Sequence, residues 1–234
     1  MFVPPLNVRY QHFNSDPKKP ARLLIFSALP FMAITTGNTE FVSKVNQAVT
    51  DRYNAEEDFF KKNERAGNRL WKTNLIPDLH NALLDKWDER GKGNESMFWN
   101  MAGNRLMIPH VSEFPVFSYK KGHRHHNEAL LYILKGTGYS LVWKNKGDKP
   151  VKLPWHEGSL IVAPYFWYHQ HFNTGSTPAA YLAITPHELL GVFAHQQINE
   201  QEGGEVGDQI EYENEDPQIR IDYEKEIGRT AILK

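Results

Sequence analysis

From about residue 105 the chain alternates short apolar runs with turn residues. Ala129 to Lys135 is an apolar run closed by Gly136-Thr137-Gly138, and Tyr139 to Trp143 reads as its antiparallel partner. Polar residues Asn145 to Pro150 turn the chain into a short strand from Val151 to Trp155, and Glu157-Gly158 marks the next turn. Ser159 to Ala163 and Ala179 to Ile184 read as further strands. Short strands at this spacing describe a sandwich or barrel, so the fold class is mainly β.

Helical spacing appears on either side of this region. Phe41, Val45, Val49 and Tyr53 recur one helical turn apart from Thr39 onward and predict a helix. Leu79, Leu83, Leu84 and Trp87 predict a second helix from about Ile76, with Pro77 in its first turn and Gly91-Lys92-Gly93 as its stop. Near the C-terminus, Ile219, Tyr223 and Ile227 lie four apart between Asp216-Pro217 and Gly228, the pattern of an amphipathic helix. Residues 1–36 are Pro-rich and aromatic, with one apolar run, Leu23 to Phe26, that reads as a strand or buried arm. Glu200 to Glu205 reads as a mobile polar loop. These boundaries give an N-terminal arm and helical extension over 1–104, a barrel core over 105–190 and a C-terminal extension over 191–234. No repeat is visible, which argues for one barrel.

Composition narrows the function classes. The 234 residues suffice for a sizeable core, and a formal net charge of −1 gives no electrostatic reason to expect nucleic acid or an anionic membrane. A small molecule is the expected partner. The chain has no cysteine, which excludes disulfides, thiolate nucleophiles and zinc–thiolate sites. Met1-Phe2-Val3-Pro4-Pro5 lacks the pattern of a signal peptide, and no apolar run has membrane-spanning length, so a cytoplasmic location is expected.

The chemistry concentrates in two segments, His123-Arg-His-His-Asn-Glu128 and Pro164-Tyr-Phe-Trp-Tyr-His-Gln-His-Phe-Asn173. In a strand, residues i and i+2 share a face, so His123 and His125 can converge on one ion. His169 or its same-face neighbour His171 can complete the site. Imidazole ligands suit iron, zinc, copper or nickel, and three ligands leave open positions for chemistry. Alternation carries His126 and Glu128 away from this face. Arg105 and Arg124 are candidates to grip a substrate carboxylate. Trp167 and Tyr168 are candidates to wall an apolar pocket, whereas Trp143 and Trp155 read as core. The acidic run Glu211 to Asp216 reads as a solvated loop or helix start.

At these residues the chain resembles the cupin superfamily. His123-Arg124-His125 with Gly136 fits the first cupin motif, and Gly158, Pro164, His169 and Asn173 fit the second in order. Ala129 stands where most cupins carry a glutamate. In this the chain is similar to the gentisate and 1-hydroxy-2-naphthoate dioxygenase branch, whose motifs align without a gap with His123 to Leu130 and with Pro164 to Asn173. The resemblance implies a double-stranded β-helix, the cupin jelly-roll barrel, with N-terminal and C-terminal helices. It implies Fe(II), or another divalent transition metal, held by His123, His125 and His169, with His171 as a nearby acid or base. Arg105, Trp167, Tyr168 and Asn173 become the expected substrate contacts.

The implied activity is cleavage of a C–C bond in a hydroxylated aromatic acid by O2. Two other readings fit the same residues. One is a non-oxidative isomerase, lyase or hydrolase, in which zinc, nickel or manganese acts as a Lewis acid and His171 or Glu128 moves the proton. The other is a cupin that binds a small molecule without turnover. Pairing through the aromatic first 36 residues makes a homo-oligomer the expected assembly.

Overall fold

The computed structural model describes residues 1–45, 50, 53–102, 107–125, 128–186 and 209–233. Its strands are β1 (Asn63–Gly67), β2 (Leu70–Thr73), β3 (Asp85–Lys86), β4 (Glu95–Asn100), β5 (Met107–Phe114), β6 (Ala129–Lys135), β7 (Thr137–Trp143), β8 (Val151–His156), β9 (Leu160–Ala163), β10 (Tyr168–Asn173) and β11 (Ala179–Pro186). Helices α1 (Leu29–Thr36) and α2 (Thr39–Lys44) precede them, and α3 (Pro217–Ile227) follows.

The larger sheet runs β1-β2-β4-β5-β11-β6-β9, with β3 beside β4, and the smaller runs β10-β7-β8. The segment Tyr119 to His123 adds a fourth run beside β10, through bridges Tyr119 to Phe172 and His123 to His169. Four runs in each facing sheet, β5-β11-β6-β9 against this segment, β10, β7 and β8, constitute the jelly roll of the cupin type. The strands expected from residue 129 onward all form.

Three apolar layers result from strand alternation. Phe114, Leu131, Ile133, Trp155, Ile161 and Tyr181 fill the space between the sheets. Met97, Trp99, Val111, Leu134 and Leu182 face outward from the larger sheet, and the N-terminal segment covers them with Met1, Val3, Phe26, Ile76 and Leu84. Reciprocal backbone bonds between Met1 and Ile76, 2.6 and 2.7 Å, tie this cover down. On the outer face of the smaller sheet, Tyr119, Tyr139 and Phe172 pack against Tyr212 and the Ile219, Tyr223 and Ile227 stripe of α3.

Helix α3 matches its expected limits. The Asp216 side chain accepts from the Gln218 amide, Pro217 occupies the first turn, and Gly228 closes the helix in the left-handed conformation. Helix α2 begins at Thr39 but ends at Lys44, where Val45 turns extended; Tyr53 is not helical and Val49 lies outside the described residues. The expected helix from Ile76 does not form. Asp78 instead holds a local turn through the His80 amide and the Asn81 side chain. Ile76, Leu79 and Leu84 pack on the larger sheet from irregular backbone, while Leu83 is 85% exposed. Residues 63–100 supply β1 to β4, so much of the expected helical extension is sheet. Leu23, Leu24 and Ile25 are exposed and form no strand, and only Phe26 packs inward. Glu200 to Glu205 lies outside the described residues.

The Tyr223 hydroxyl, fully buried, reaches the Ser118 carbonyl at 2.9 Å and the Asn173 carbonyl at 2.6 Å. Tyr223→Phe removes the side-chain donor that spans both carbonyls while keeping the ring. It is expected to lower unfolding free energy by roughly 1–3 kcal/mol, read from the midpoint of urea denaturation followed by circular dichroism.

Candidate metal centre

His123 and His169 face each other as a hydrogen-bonded antiparallel pair: the His123 amide donates to the His169 carbonyl at 3.1 Å and the His169 amide returns the bond at 2.8 Å. His125, two residues on, lies on the same face. One ligand atom from each of His123, His125 and His169 falls within 4.8 Å of the others, and two of the three residues are buried.

Hydrogen bonding decides which ring nitrogen is available. The Nδ1 atoms of His123 and His169 lie 3.0 and 3.1 Å from the carbonyls of Lys121 and Trp167. A carbonyl only accepts, so each Nδ1 carries the proton. Burial, the largest cause, holds both rings well below the ordinary histidine pKa, and the neighbouring Arg90 and histidines add to it. In the neutral ring the lone pair is therefore on Nε2, and a carbonyl-anchored Nδ1–H is the support that metal-ligating histidines commonly have. The three rings fit a divalent transition ion.

His171 is held differently, by a hydroxyl rather than a carbonyl. Its Nδ1 lies 2.8 Å from Ser140 Oγ, and that oxygen already accepts from the Trp155 indole at 3.1 Å. Ser140 keeps one proton that can be donated to His171 Nδ1, and in that tautomer Nε2 is the N–H. The His171 ring centroid is 5.6 Å from that of His169 and 5.1 Å from that of Tyr181. Burial, followed by the Lys120 charge, lowers its pKa to about 3. His171 is thus a neutral ring beside the trio.

Two cations near this site had no signal in the sequence. Lys120 is 1% exposed and its Nζ donates to the hydroxyls of Tyr181, at 2.9 Å, and Ser112. It also lies over the Tyr181 and Phe114 rings at 4.7 and 5.5 Å. Burial pushes its pKa well below the ordinary lysine value. Arg90 ends a single 3₁₀ turn, where it stacks over Trp87 at 5.2 Å and donates to Gln209 Oε1 at 2.7 Å. Both look like surface residues in the sequence. Lys120 becomes interior only once Tyr119 to His123 pairs with β10, which puts it opposite His171 through a 2.9 Å backbone bond.

The other expected site residues are dispersed. Tyr168 alternates to the opposite face from His169, where its fully buried ring stacks on Trp143 with centroids 5.4 Å apart. Asn173 spends its side chain on the loop: Nδ2 donates to the carbonyls of Pro115 and Thr177, and Oδ1 accepts from the Gly175 amide. Neither is placed to meet a molecule held at the trio. Trp167 is half-buried and anchors His169 through its carbonyl. Arg105 lies outside the described residues, as does His126. The Arg124 guanidinium lies over the Phe166 and Tyr168 rings at 4.0 and 4.6 Å. Glu128 is exposed, and Trp143 and Trp155 are buried core, as expected. In the acidic run, Glu215 is not solvated: its carboxylate is buried between Tyr119, Gln170 and Arg220.

No protein-family model matches the chain. Among curated proteins it is similar to the glucose-6-phosphate isomerase of Thermococcus gammatolerans, 32% identical over 99 residues, or 38% of this chain and 52% of the relative. The glucose-6-phosphate isomerase of Pyrococcus horikoshii is 33% identical over the same shares. The chain thus spans about half the length of these relatives. Among solved structures it is similar to the Schizosaccharomyces pombe Cnp3 cupin domain, with a TM-score of 0.40 and 15% identity over 54% of this chain and 79% of that one. A predicted oxalate decarboxylase from Thermotoga maritima gives a TM-score of 0.39 at 20% identity, over 48% of this chain and 98% of that one. No helix among the described residues is long and apolar enough to cross a membrane.

His123→Ala, His125→Ala and His169→Ala are each expected to lose stoichiometric metal, and Glu128→Gln to keep it, by elemental analysis of purified protein. Metal loss in Glu128→Gln would require a fourth ligand. A pH effect follows for the metal-free protein. His123, His169 and His171 have folded pKa values below the ordinary 6.5, in one case about 3. The unfolded chain therefore binds more protons below that value, and stability falls as pH drops from about 7 toward 3. The urea midpoint should decline across this window, and decline less when His171 is replaced by Gln.

Proposed function

We propose that this protein is a metal-dependent cupin-type enzyme that rearranges a small hydroxy-carbonyl compound without oxidising it, an isomerase or a closely related lyase. The observation that carries this reading is the histidine trio with a neutral, hydroxyl-bonded His171 ring beside it inside the barrel. His123 and His169, each with its Nδ1 held by a carbonyl, turn Nε2 lone pairs to the position that His125 completes, and the neutral His171 ring, bonded to Ser140, lies beside them. The names of the curated relatives support the isomerase class, and nothing in the comparisons favours the ring-cleaving dioxygenase that the motif resemblance implied.

The chemistry asked of the chain is modest. In an aldose–ketose exchange the carbonyl and hydroxyl change places on adjacent carbons. One hydrogen moves from carbon to carbon and one proton moves from oxygen to oxygen, with no external oxidant or reductant. A divalent ion held by His123, His125 and His169 would polarise the carbonyl as a Lewis acid. His171 gives its Nε2 proton to the oxygen that becomes a hydroxyl and takes one back from the oxygen that becomes the carbonyl. Ser140 and Trp155 hold the ring in position while this proton passes. The two sheets keep water away from the exchange.

The test is turnover of a panel of aldoses, aldose phosphates and 2-hydroxy-carbonyl acids by protein loaded with manganese, zinc, nickel or iron, with O2 monitored throughout. Conversion without O2 consumption is expected, and His171→Gln should lower kcat roughly 10²- to 10⁴-fold while metal content is unchanged. Stoichiometric O2 uptake with hydroxylated aromatic acids would replace this reading with the dioxygenase.

A further inference from the structure

The charge inside and around the barrel is one-sided. Lys120 is buried with two hydroxyls and two aromatic rings as its partners. Arg90 is enveloped by protein although the residue keeps some accessible surface, and burial lowers its pKa to about 10. Of the five N–H donors on its guanidinium, one goes to Gln209 Oε1, and the Trp87 ring covers a face. Among the described residues no carboxylate forms an ion pair with either cation. Glu89 and Glu211 act on Arg90 without forming an ion pair with it, and Glu211 is instead engaged by Lys121 at 2.6 Å and Gln209 at 2.7 Å.

Arg90 is also placed against the site. The Lys121 amide donates to the Arg90 carbonyl at 2.9 Å, and the Lys121 carbonyl is the anchor for His123 Nδ1 at 3.0 Å. The guanidinium is close enough to His123, His169 and Tyr181 to act on all three electrostatically. A guanidinium with no ion-paired carboxylate among the described residues, beside rings that accept a divalent ion, makes a site that favours an anionic ligand.

We propose that Arg90 is the anion-recognising residue of this site, and that the substrate carries an oxyanion, carboxylate or phosphate, which its guanidinium grips while the reacting end reaches the histidines. This rests on the enzyme reading above and names its substrate class. Arg90 supplies the planar donor fork that oxyanions match, and Lys120, enclosed by Tyr181, Ser112 and Phe114, makes no contact with the ligand. Neutral sugars and alcohols of the same size are disfavoured because they bring the guanidinium no anion.

The experiment is calorimetric titration of metal-free protein with inorganic phosphate, with malonate and, as a neutral control, with glycerol, on wild type, Arg90→Gln, Arg90→Lys and His169→Ala. Wild type should bind at least one of the two anions and not glycerol; the stronger of the two identifies the group the substrate carries. Arg90→Gln should weaken that binding roughly 10- to 100-fold, as loss of a charge-assisted bond would. Arg90→Lys, which keeps the charge and the contact with Trp87 but not the fork, should fall between. His169→Ala should retain anion binding, so that failure of the metal site and failure of the anion site are read separately. Equal affinity in wild type and Arg90→Gln, or no binding of either anion by folded wild type, would overturn the proposal. Thermal melts of each variant confirm that folded protein is being compared.

Discussion

The antiparallel pairing of residues 118–123 with β10 is the constraint on which the site depends. Six residues that belong to no long strand are held to β10 by backbone bonds at Ser118, Lys120 and His123. The same register does three things. It sets His123 opposite His169, turns Lys120 inward opposite His171, and turns Tyr119 outward onto Phe172 at a ring separation of 4.6 Å. A slip of one residue would exchange the inner and outer sets and scatter the histidines. Metal competence and core packing are thus specified by one hydrogen-bond pattern.

The barrel interior combines an apolar floor with a linked set of polar groups around His171. Ser140 links Trp155 to His171, and Tyr181 lies between His171 and Lys120. Because these groups are out of water, the rings stay neutral, and the carbonyls of Lys121 and Trp167 fix the tautomers of His123 and His169. That anchoring is what distinguishes these ligand histidines from His171 although the two types alternate on one strand.

The parts of the fold legible in the sequence were those governed by local pattern. Strands from Ala129 to Ile184 and helix α3 announce themselves by apolar runs, glycine turns and the Asp216-Pro217 and Gly228 caps. The histidine trio was legible too, because i, i+2 spacing in strands is a local rule. The apolar residues between Ile76 and Trp87 misled because packing on a preformed sheet produces the same intermittent pattern as a helix, and Asp78 with Asn81 favours a turn. Strands β1 and β2 are short and mostly polar, and only their parallel and antiparallel neighbours make them strands. Arg90, Lys120 and the buried Glu215 could not be read locally, since their surroundings come from segments up to about a hundred residues away. Asn173 illustrates the reverse error: it fits the motif, yet its side chain shapes the turn at residues 174–177.

The Tyr223 hydroxyl offers its single proton to two carbonyls, one at each edge of the pairing that positions the trio. The C-terminal helix therefore works as a clamp across the seam rather than as an appendage. An ion held by His123 and His169 would bear on the same seam from within, and whatever metal loading did to the seating of the last helix, that seating would do equally to metal loading.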